Sequence, residues 1–441
     1  MNINKPKLID LVLLVTFKVF LEISYSRFVY PVFSYTNFTL EINIFKLIES
    51  YLFTVFFFIL LTDRDDKPSR IALKLLFLLM IVPISSFYAL ANMERSYYYA
   101  FIAGFFLTLA IVKIYPVLKI KKVKNSNLFL FICLAIISLC VYLVLIKENG
   151  IPTLKAFTLT SVYEIRGEVD YGLRIISYFV GWVASVINCF LLGLAWHKRR
   201  YFSLMCVLCL QLVLYAILAH KSVLLTPFVV LFVIFAVKKK QFMRLTLLSL
   251  IGLIFFSYVF NAFNISKLPS SLFIRRVLFV PARVSYNYYD FFSKNPYTYL
   301  SQSKVGLGLA KNPYRDIGVA NLMGLTYADE VKCHMNTGYM GDAYMNFGFA
   351  GMLIFSYLLG LMLIIADSVA KNVNICIAIA AMIIPIQKLV NGALFTCMLT
   401  NGFILSLLVV WLYKERSRRR VFDSSKTTIF HSLRSTWWNI A

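Results

Sequence analysis

"HMNTGYMGDAYMNFG" at residues 334–348 runs directly into "FAGMLIFSYLLGLMLIIA" at residues 349–366. The second stretch is apolar and long enough to cross most of the ~30 Å hydrocarbon core of a bilayer as a helix. The first stretch is rich in glycine and in hydrogen-bonding side chains, which a span does not need. This junction predicts a membrane protein whose polar groups gather at the end of a span.

The composition extends this prediction to the whole chain. The 441 residues are 60% hydrophobic and 15% charged, a balance that one soluble core could not bury. Runs of roughly 20 mostly apolar residues indicate membrane helices. Twelve such runs are predicted, at 8–26, 43–62, 71–92, 96–114, 128–146, 173–195, 201–219, 222–237, 245–260, 349–366, 374–391 and 394–413. We therefore expect an all-α polytopic membrane protein with about twelve transmembrane helices.

The net charge of +25 follows the predicted topology and does not indicate nucleic acid as a partner. Basic residues cluster in every second connection, as in "HKRR" at 197–200 and "KERSRRR" at 414–420. Basic loops of membrane proteins face the cytoplasm, so both termini are predicted to be cytoplasmic. The basic tail 414–441 also suits contact with anionic lipid headgroups.

Unequal connections divide the chain into four predicted parts. These are nine spans over 1–260 with an external loop at 147–172, an external loop domain over 261–348, three spans over 349–413 and the tail over 414–441. A connection as long as the second part needs structure of its own. Its segment "LFIRRVLFVPARVSYNYYDFF" has apolar residues at helical spacing, which predicts amphipathic helices at the outer membrane surface. Its aromatic residues suit an interfacial belt or stacking on sugar rings.

The external loop 147–172 and the span that follows it hold a first group of candidate residues. Arg166 and Arg174 border this span, where the surroundings are drier than bulk water and a guanidinium can hold phosphate with two donors. Tyr163 lies three residues before Arg166 and would share a helix face with it. The alternative is that these arginines anchor the span at the interface.

Further cations lie on the same predicted side. Lys221 follows a connection with almost no loop, so it either presents a fixed cation to a central cavity or reaches back to the interface. Arg276 and Arg283 are two helical turns apart and are predicted to share a face, with Arg275 pointing elsewhere. Such a pair suits a pyrophosphate or the phosphates of membrane lipids.

The opening stretch combines turn residues with a carboxylate. Its candidate residues are His334, Asn336, Gly338, Gly341, Asp342 and Tyr344. Asp342 is expected near a helix start, where it can accept backbone N–H bonds, and it shares a face with Asn346 four residues on. A helix N-terminus also attracts anions. The stretch predicts either an anion-binding turn with a carboxylate and a histidine, or a structural cap.

No metal site or disulfide framework is predicted. Seven of the eight cysteines fall in predicted spans and only Cys333 lies in an external loop. The four histidines are scattered, and no Cys/His spacing matches a zinc site. We expect neither a metal nor another cofactor.

Four short patches resemble the bacterial O-antigen polymerases, the Wzy-type enzymes that join oligosaccharide repeat units. The patches are the Asn-x-Gly-x-x-Gly-Asp-x-Tyr pattern that starts at Asn336, "YEIRG" at 163–167, "HKS" at 220–222, and "RRVLFVPA" at 275–282 with the "YDFF" that follows. The chain departs from one branch of that family, whose two large external loops carry Arg-x10-Gly motifs. Neither Arg166 nor Arg283 has glycine at that spacing.

The resemblance implies a glycosyltransferase of the bacterial inner membrane that acts on the periplasmic face without a metal or a nucleotide sugar. Such an enzyme moves a growing chain from undecaprenyl pyrophosphate to the non-reducing end of a new lipid-linked repeat unit. The implied partners are undecaprenyl-pyrophosphate-linked oligosaccharide, membrane lipid and a chain-length regulator. Asp342 or His334 would take the acceptor proton. Arg166, Lys221 and Arg276 would stabilise the leaving pyrophosphate, and the other candidates would bind substrate.

Three other classes stay open as alternatives. A lipid-linked oligosaccharide flippase would need a charged pathway that reaches the cytoplasmic half of the bundle. An O-antigen ligase would use the same donor with lipid A core as acceptor, and topology does not separate it from a polymerase. A membrane acyltransferase would need a reactive histidine deep in a span, and the sequence places none there.

Overall fold

The computed structural model describes residues 5–61, 64–123, 126–150, 167, 169–314, 317–328 and 333–415. Within these ranges the chain forms helices and connecting segments without a β-strand, as the composition predicts. Nine helices of the described part are long and apolar enough to cross a membrane. The three other predicted spans, 8–26, 43–62 and 374–391, are also largely helical but fall outside that set, so the count of twelve stays a prediction.

The helices are labelled in chain order. The α-helices are α1 (Lys5–Ser24), α2 (Tyr30–Phe33), α3 (Ile44–Leu60), α4 (Pro68–Leu76), α5 (Val82–Leu90), α6 (Arg95–Ile114), α7 (Ser126–Asn149), α8 (Arg174–Trp182), α9 (Asn188–His197), α10 (Tyr201–Leu218), α11 (Lys221–Lys238), α12 (Phe242–Ala262), α13 (Val280–Phe292), α14 (Val319–Ala328), α15 (Tyr339–Ala370), α16 (Ile375–Gln387), α17 (Leu394–Met398) and α18 (Phe403–Leu412). Wider π-helical turns occupy Tyr25–Val29, Phe77–Ile81, Val183–Ile187 and Ser270–Phe279. Short 3₁₀ turns occupy Ser34–Thr36, Lys304–Gly306 and Lys388–Val390.

Three of the four π-helical turns end two residues before a proline. Pro31, Pro83 and Pro281 each follow the residue that closes such a turn. A proline in a helix lacks an N–H and its ring collides with the carbonyl four residues earlier. A turn closed by an i→i+5 hydrogen bond takes up an extra residue and shifts the register of the helix beyond it. The prolines thus give a local reason for these register shifts.

Helix α16 lies at the centre of the bundle and contacts α4, α9 and α11. Its sequence "ICIAIAAMIIPIQ" is apolar on every side, as expected for a helix with protein all round it. Small residues allow α9 to approach α16 closely. A Cβ added at Gly193 of α9 would lie only 2.5 Å from the Cβ of Ala380 in α16.

Two ion pairs are buried inside the described part of the bundle. Lys18 donates to Glu22 across 2.7 Å and to the hydroxyl of Ser86 across 2.9 Å. The i, i+4 spacing of Lys18 and Glu22 in the sequence predicts that the two charges neutralise each other, and this contact confirms the prediction. Asp65 and Lys74, both buried, form a second pair at 2.6 Å near the end predicted to be cytoplasmic. Each charge is thereby compensated where water is excluded.

Helix α13 is buried, so the predicted amphipathic helix at the outer membrane surface is wrong for this segment. Residues 281–288 are buried throughout, and α13 packs on α5 and α15. The aromatic side chains contribute to this packing, because the rings of Tyr286 and Tyr289 lie 5.1 Å and 4.8 Å from that of Tyr97. The helical periodicity is compatible with a membrane surface and with a protein interior. Packing against α5 and α15 places this helix in the interior.

Candidate functional site

A polar cavity of about 570 Å³ lies at the end of the bundle that the topology predicts to be external. Distant parts of the chain form it: the connection after α13, the start of α15 and the interrupted helix α17–α18. Its lining residues are Tyr178, Tyr288, Leu300, Gln302, Ser303, Lys304, Val319, Ala320, Asn336, Thr337, Asp342, Met345, Asn346, Asn391, Gly392, Ala393, Phe395, Thr396, Leu399, Thr400 and Asn401. A volume of this size accommodates a small ligand or a few sugar rings.

Asp342 lines this cavity from the first turns of α15 and is 4% exposed. One carboxylate oxygen, Oδ2, accepts the backbone N–H of Leu394 at 3.1 Å. The other, Oδ1, accepts a hydrogen bond from the Asn346 amide at 3.2 Å. Asp342 thus bonds to the start of α17, whereas the sequence predicted a cap at the start of its own helix. The two donors stabilise the ionised carboxylate and fix its orientation.

Asn346 connects the carboxylate to the long connection. Its carbonyl oxygen accepts hydrogen bonds from the hydroxyl of Thr298 and the backbone N–H of Leu300, both at 2.7 Å. Its amide donates to Asp342 as described. The predicted shared face of Asp342 and Asn346 is confirmed, and this face positions one wall of the cavity against another.

A kink separates the polar turns of α15 from its apolar span. Gly348 has φ +61° and ψ −147°, a conformation that L side chains rarely adopt. A Cβ there would also lie 2.7 Å from the Tyr297 hydroxyl. The polar stretch of the sequence is therefore a short helical unit set at an angle to the span that follows it. This explains how its hydrogen-bonding groups meet a cavity while residues 349–370 continue as an apolar helix.

A second irregularity lines the same cavity. Residues 399–402 interrupt the predicted span 394–413 between α17 and α18, with Gly402 at φ +84°. The Trp182 indole donates to the Leu399 carbonyl at 2.8 Å. The Lys388 ammonium donates to Asn401 at 3.3 Å and to Ser185 at 3.0 Å. Unwound backbone inside a membrane bundle is tolerated where it meets protein or lines a cavity, and both conditions hold here.

Among the described residues that line the cavity, Lys304 carries the positive charge and Asp342 carries the carboxylate. The Lys304 ammonium lies 4.5 Å from the centre of the Tyr178 ring, a cation–π contact that holds the charge at the rim. Lys304 and the polar lining residues at 391, 396, 400 and 401 were not predicted from the sequence. An exposed lysine in a long connection has no distinguishing pattern, and only the fold brings these segments together.

The predicted residues of the opening stretch separate into two groups. Asn336 and Asp342 line the cavity. Gly338 and Gly341 do not line the cavity, but both pack closely beside it. A Cβ added at Gly338 would lie 2.4 Å from the carbonyl oxygen of Val390, and one added at Gly341 would lie 2.1 Å from the hydroxyl oxygen of Thr337. Tyr344 packs among aromatic rings, with the Tyr97 ring centre 5.5 Å away. The glycines allow close packing of the cavity wall.

The other predicted residues do not line the cavity within the described part of the chain. His334 is exposed, which leaves Asp342 as the base candidate inside the cavity. Lys221 begins α11 directly after the tight connection at residues 219–220. Arg166 and Tyr163 lie outside the described residues, and so does the side chain of Arg174, the first residue of α8.

The predicted register of the loop arginines is wrong. Arg276 is exposed, whereas Arg283 is buried and its positively charged neighbour is Arg275. The prediction assumed α-helical spacing from 275 to 283. The π-helical turn before Pro281 adds a residue to the turn and thereby aligns Arg275 with Arg283.

Compared with protein-family models, with curated proteins and with solved structures, the chain matches none of them. The resemblance to O-antigen polymerases therefore stays a prediction. Among the described residues, no three His, Cys, Asp or Glu side chains lie close enough together to hold a metal ion.

Proposed function

We propose that this protein is a polymerase of polyprenyl-pyrophosphate-linked oligosaccharide repeat units. In this proposal it lies in the bacterial inner membrane with both termini cytoplasmic and works at the periplasmic face. The observation that carries the proposal is the polar cavity at the predicted external end, in which the buried carboxylate of Asp342 is held by two donors.

The chemistry of the lining fits a sugar. Asn336, Asn391 and Asn401 offer amide donors and acceptors for hydroxyl groups. The rings of Tyr178 and Tyr288 add flat apolar surface beside them. Pockets that combine apolar walls with a few placed polar groups fix a ligand in one orientation.

The proposed reaction is an inverting displacement at the anomeric carbon of the donor. Asp342 accepts the proton of the acceptor hydroxyl as that oxygen bonds to the anomeric carbon. The bond from this carbon to the pyrophosphate oxygen breaks, and its electron pair leaves with the pyrophosphate. In this proposal Lys304 stabilises that charge at the rim of the cavity, together with Arg166, Lys221 and Arg276, the three cations to which the resemblance gives this role.

A flippase remains the second candidate because α17–α18 is an interrupted helix. Transporters often bind substrate at such interruptions. Its predicted charged pathway to the cytoplasmic half has weaker support, since the cavity at the opposite end shares no lining residue with the polar cavity. That second cavity, of about 410 Å³, contains the ion pair of Asp65 and Lys74.

The deciding experiment uses purified full-length protein in liposomes, a synthetic undecaprenyl-pyrophosphate repeat unit, no nucleotide sugar and an added chelator. We expect a ladder of lengthening lipid-linked products on a gel. A parallel reaction also contains lipid A core, and transfer to this acceptor without a ladder would indicate a ligase. Movement of the unit across the bilayer without new products would indicate a flippase and overturn the polymerase proposal.

Replacement of Lys304 tests the leaving-group role. We expect Lys304→Gln to slow chain extension by about tenfold, since an exposed cation is partly screened by water. The measurement is the initial rate of ladder formation at saturating donor. Lys311→Gln is the matched control, because Lys311 is exposed in the same connection and does not line the cavity. Equal rates for the two variants would remove Lys304 from the mechanism.

A further inference from the structure

The most unusual charge in the described part of the chain lies outside the polar cavity. The Arg283 side chain is buried in α13, and its Nε and Nη1 atoms have no hydrogen-bond partner among the described residues. Charged groups taken out of water normally require a partner, because the desolvation cost is several kcal/mol per ion. Arg283 has no ion pair within the described residues.

A second guanidinium increases this demand for an anion. Arg275 lies close enough to Arg283 for their charges to repel, and its Nε atom also lacks a partner among the described residues. Burial first, and the charge of Arg275 next, lower the pKa of Arg283 to about 10. Arg283 nevertheless stays protonated at neutral pH. Two adjacent cations in a partly dry site repel each other, and an anion bound between them would relieve this repulsion.

The surroundings hold the two guanidinium groups as a platform. The Arg275 guanidinium lies 4.1 Å from the centre of the Phe33 ring, and that of Arg283 lies 4.6 Å from the Phe38 ring. Each ring covers one face of a guanidinium group, and the N–H donors point outward from the edge of that group. A hydrogen bond of 3.2 Å to the Ser271 hydroxyl further orients Arg275.

A third donor lies on the same helix face. Asn287 is four residues after Arg283 in α13, so the two share a face. Its buried amide nitrogen also has no partner among the described residues. Three side chains thus bring unused donors to one region, and planar guanidinium pairs match the oxygens of a phosphate.

From this geometry we infer that Arg275, Arg283 and Asn287 form a binding site for the phosphate group of a lipid, separate from the polar cavity. Access is at the predicted external end, between the segment after α1 and the π-helical turn, where Arg275 is partly exposed and Tyr35 is 77% exposed. Two lipids carry this chemistry in such a membrane: an anionic phospholipid and a polyprenyl pyrophosphate. The inference does not depend on the polymerase proposal.

Ligand-dependent unfolding of the wild-type protein in a neutral detergent is the first test. The probes are dihexanoyl phosphatidylglycerol and farnesyl pyrophosphate, with farnesol as the control that lacks phosphate. A ligand that binds only the folded protein raises its unfolding temperature. Stabilisation by phosphatidylglycerol alone would identify a resident phospholipid, and stabilisation by farnesyl pyrophosphate alone would identify the polyprenyl lipid. Stabilisation by both would define a site for the phosphate itself.

Variants then locate the site. We expect Arg275→Gln and Arg283→Gln each to weaken the stabilising probe's apparent affinity about tenfold or more, the usual effect of losing a charged hydrogen bond. The matched control is Arg200→Gln, because Arg200 is exposed at the end predicted to be cytoplasmic and belongs to neither proposed site, so this variant should bind as the wild type does.

Two results would overturn the inference. One is wild-type protein that no phosphate probe stabilises beyond farnesol, a result that needs no variant. The other is equal affinity in the Arg275, Arg283 and Arg200 variants. Because the ladder assay measures products and this assay measures unfolding, either proposal can fail while the other stands.

Discussion

Asp342→Asn is expected to stop chain extension, with a loss of about 10²- to 10⁴-fold in rate, the range that a positioned general base supplies. The amide cannot accept the acceptor proton. It also presents only one acceptor where the carboxylate has two, and its NH₂ group would face the Asn346 amide donor. The rate of ladder formation per mole of folded protein is the measurement.

The same helix offers a matched control for this substitution. Asp367 is also buried on α15, and its carboxylate accepts hydrogen bonds from the backbone N–H and the hydroxyl of Ser69 at 2.9 Å and 2.6 Å. Asp367→Asn therefore removes a similar buried charge and a similar acceptor, but far from the cavity. We expect its extension rate to match that of the wild type once protein amount is equalised. Equal losses in the two variants would show that Asp342 is structural.

Gly338→Ala is expected to destabilise the protein by about 1–3 kcal/mol, the usual cost of overpacking, and to slow extension as well. A Cβ at this position would lie 2.4 Å from the carbonyl oxygen of Val390 and 3.0 Å from that of Leu389. Both are backbone atoms, so the 3₁₀ turn Lys388–Val390 must move. That turn leads to Leu394, whose N–H holds the Asp342 carboxylate, so the shift reaches the proposed base.

Gly252→Ala provides the comparison for this prediction. Gly252 lies within α12, and a Cβ there would meet nothing within 4 Å. Alanine favours a helix over glycine by up to about 1 kcal/mol. The unfolding temperature of the Gly252→Ala protein in detergent should therefore not fall. If Gly338→Ala unfolds at the same temperature as Gly252→Ala, the close approach to Val390 does not constrain the site.

Local patterns were enough to predict part of the site. The polar stretch before an apolar run predicted Asn336 and Asp342, and both line the cavity. The i, i+4 spacing predicted the contact of Asp342 with Asn346 and the pair of Lys18 with Glu22. Such contacts depend on helix geometry alone, so they are accessible from the sequence.

The loop arginines show where local patterns failed. A strict α-helical period paired Arg276 with Arg283, but the proline at 281 accompanies a π-helical turn that brings Arg275 into register. The signal was present in the sequence as Pro281. The burial of α13 was not, because its amphipathic pattern is compatible with both a membrane surface and a protein interior.

By itself, the sequence determined that the chain is helical and suited to a membrane, and which of its polar stretches borders a span. These properties follow from hydrophobicity and from periods of a few residues. Only the tertiary structure decided that Asp342 meets Leu394, that Asn346 meets Thr298, and that Lys304 belongs to the same cavity as both. Residues about fifty positions apart share no local pattern, so their contact is set by how the kinked and interrupted helices pack.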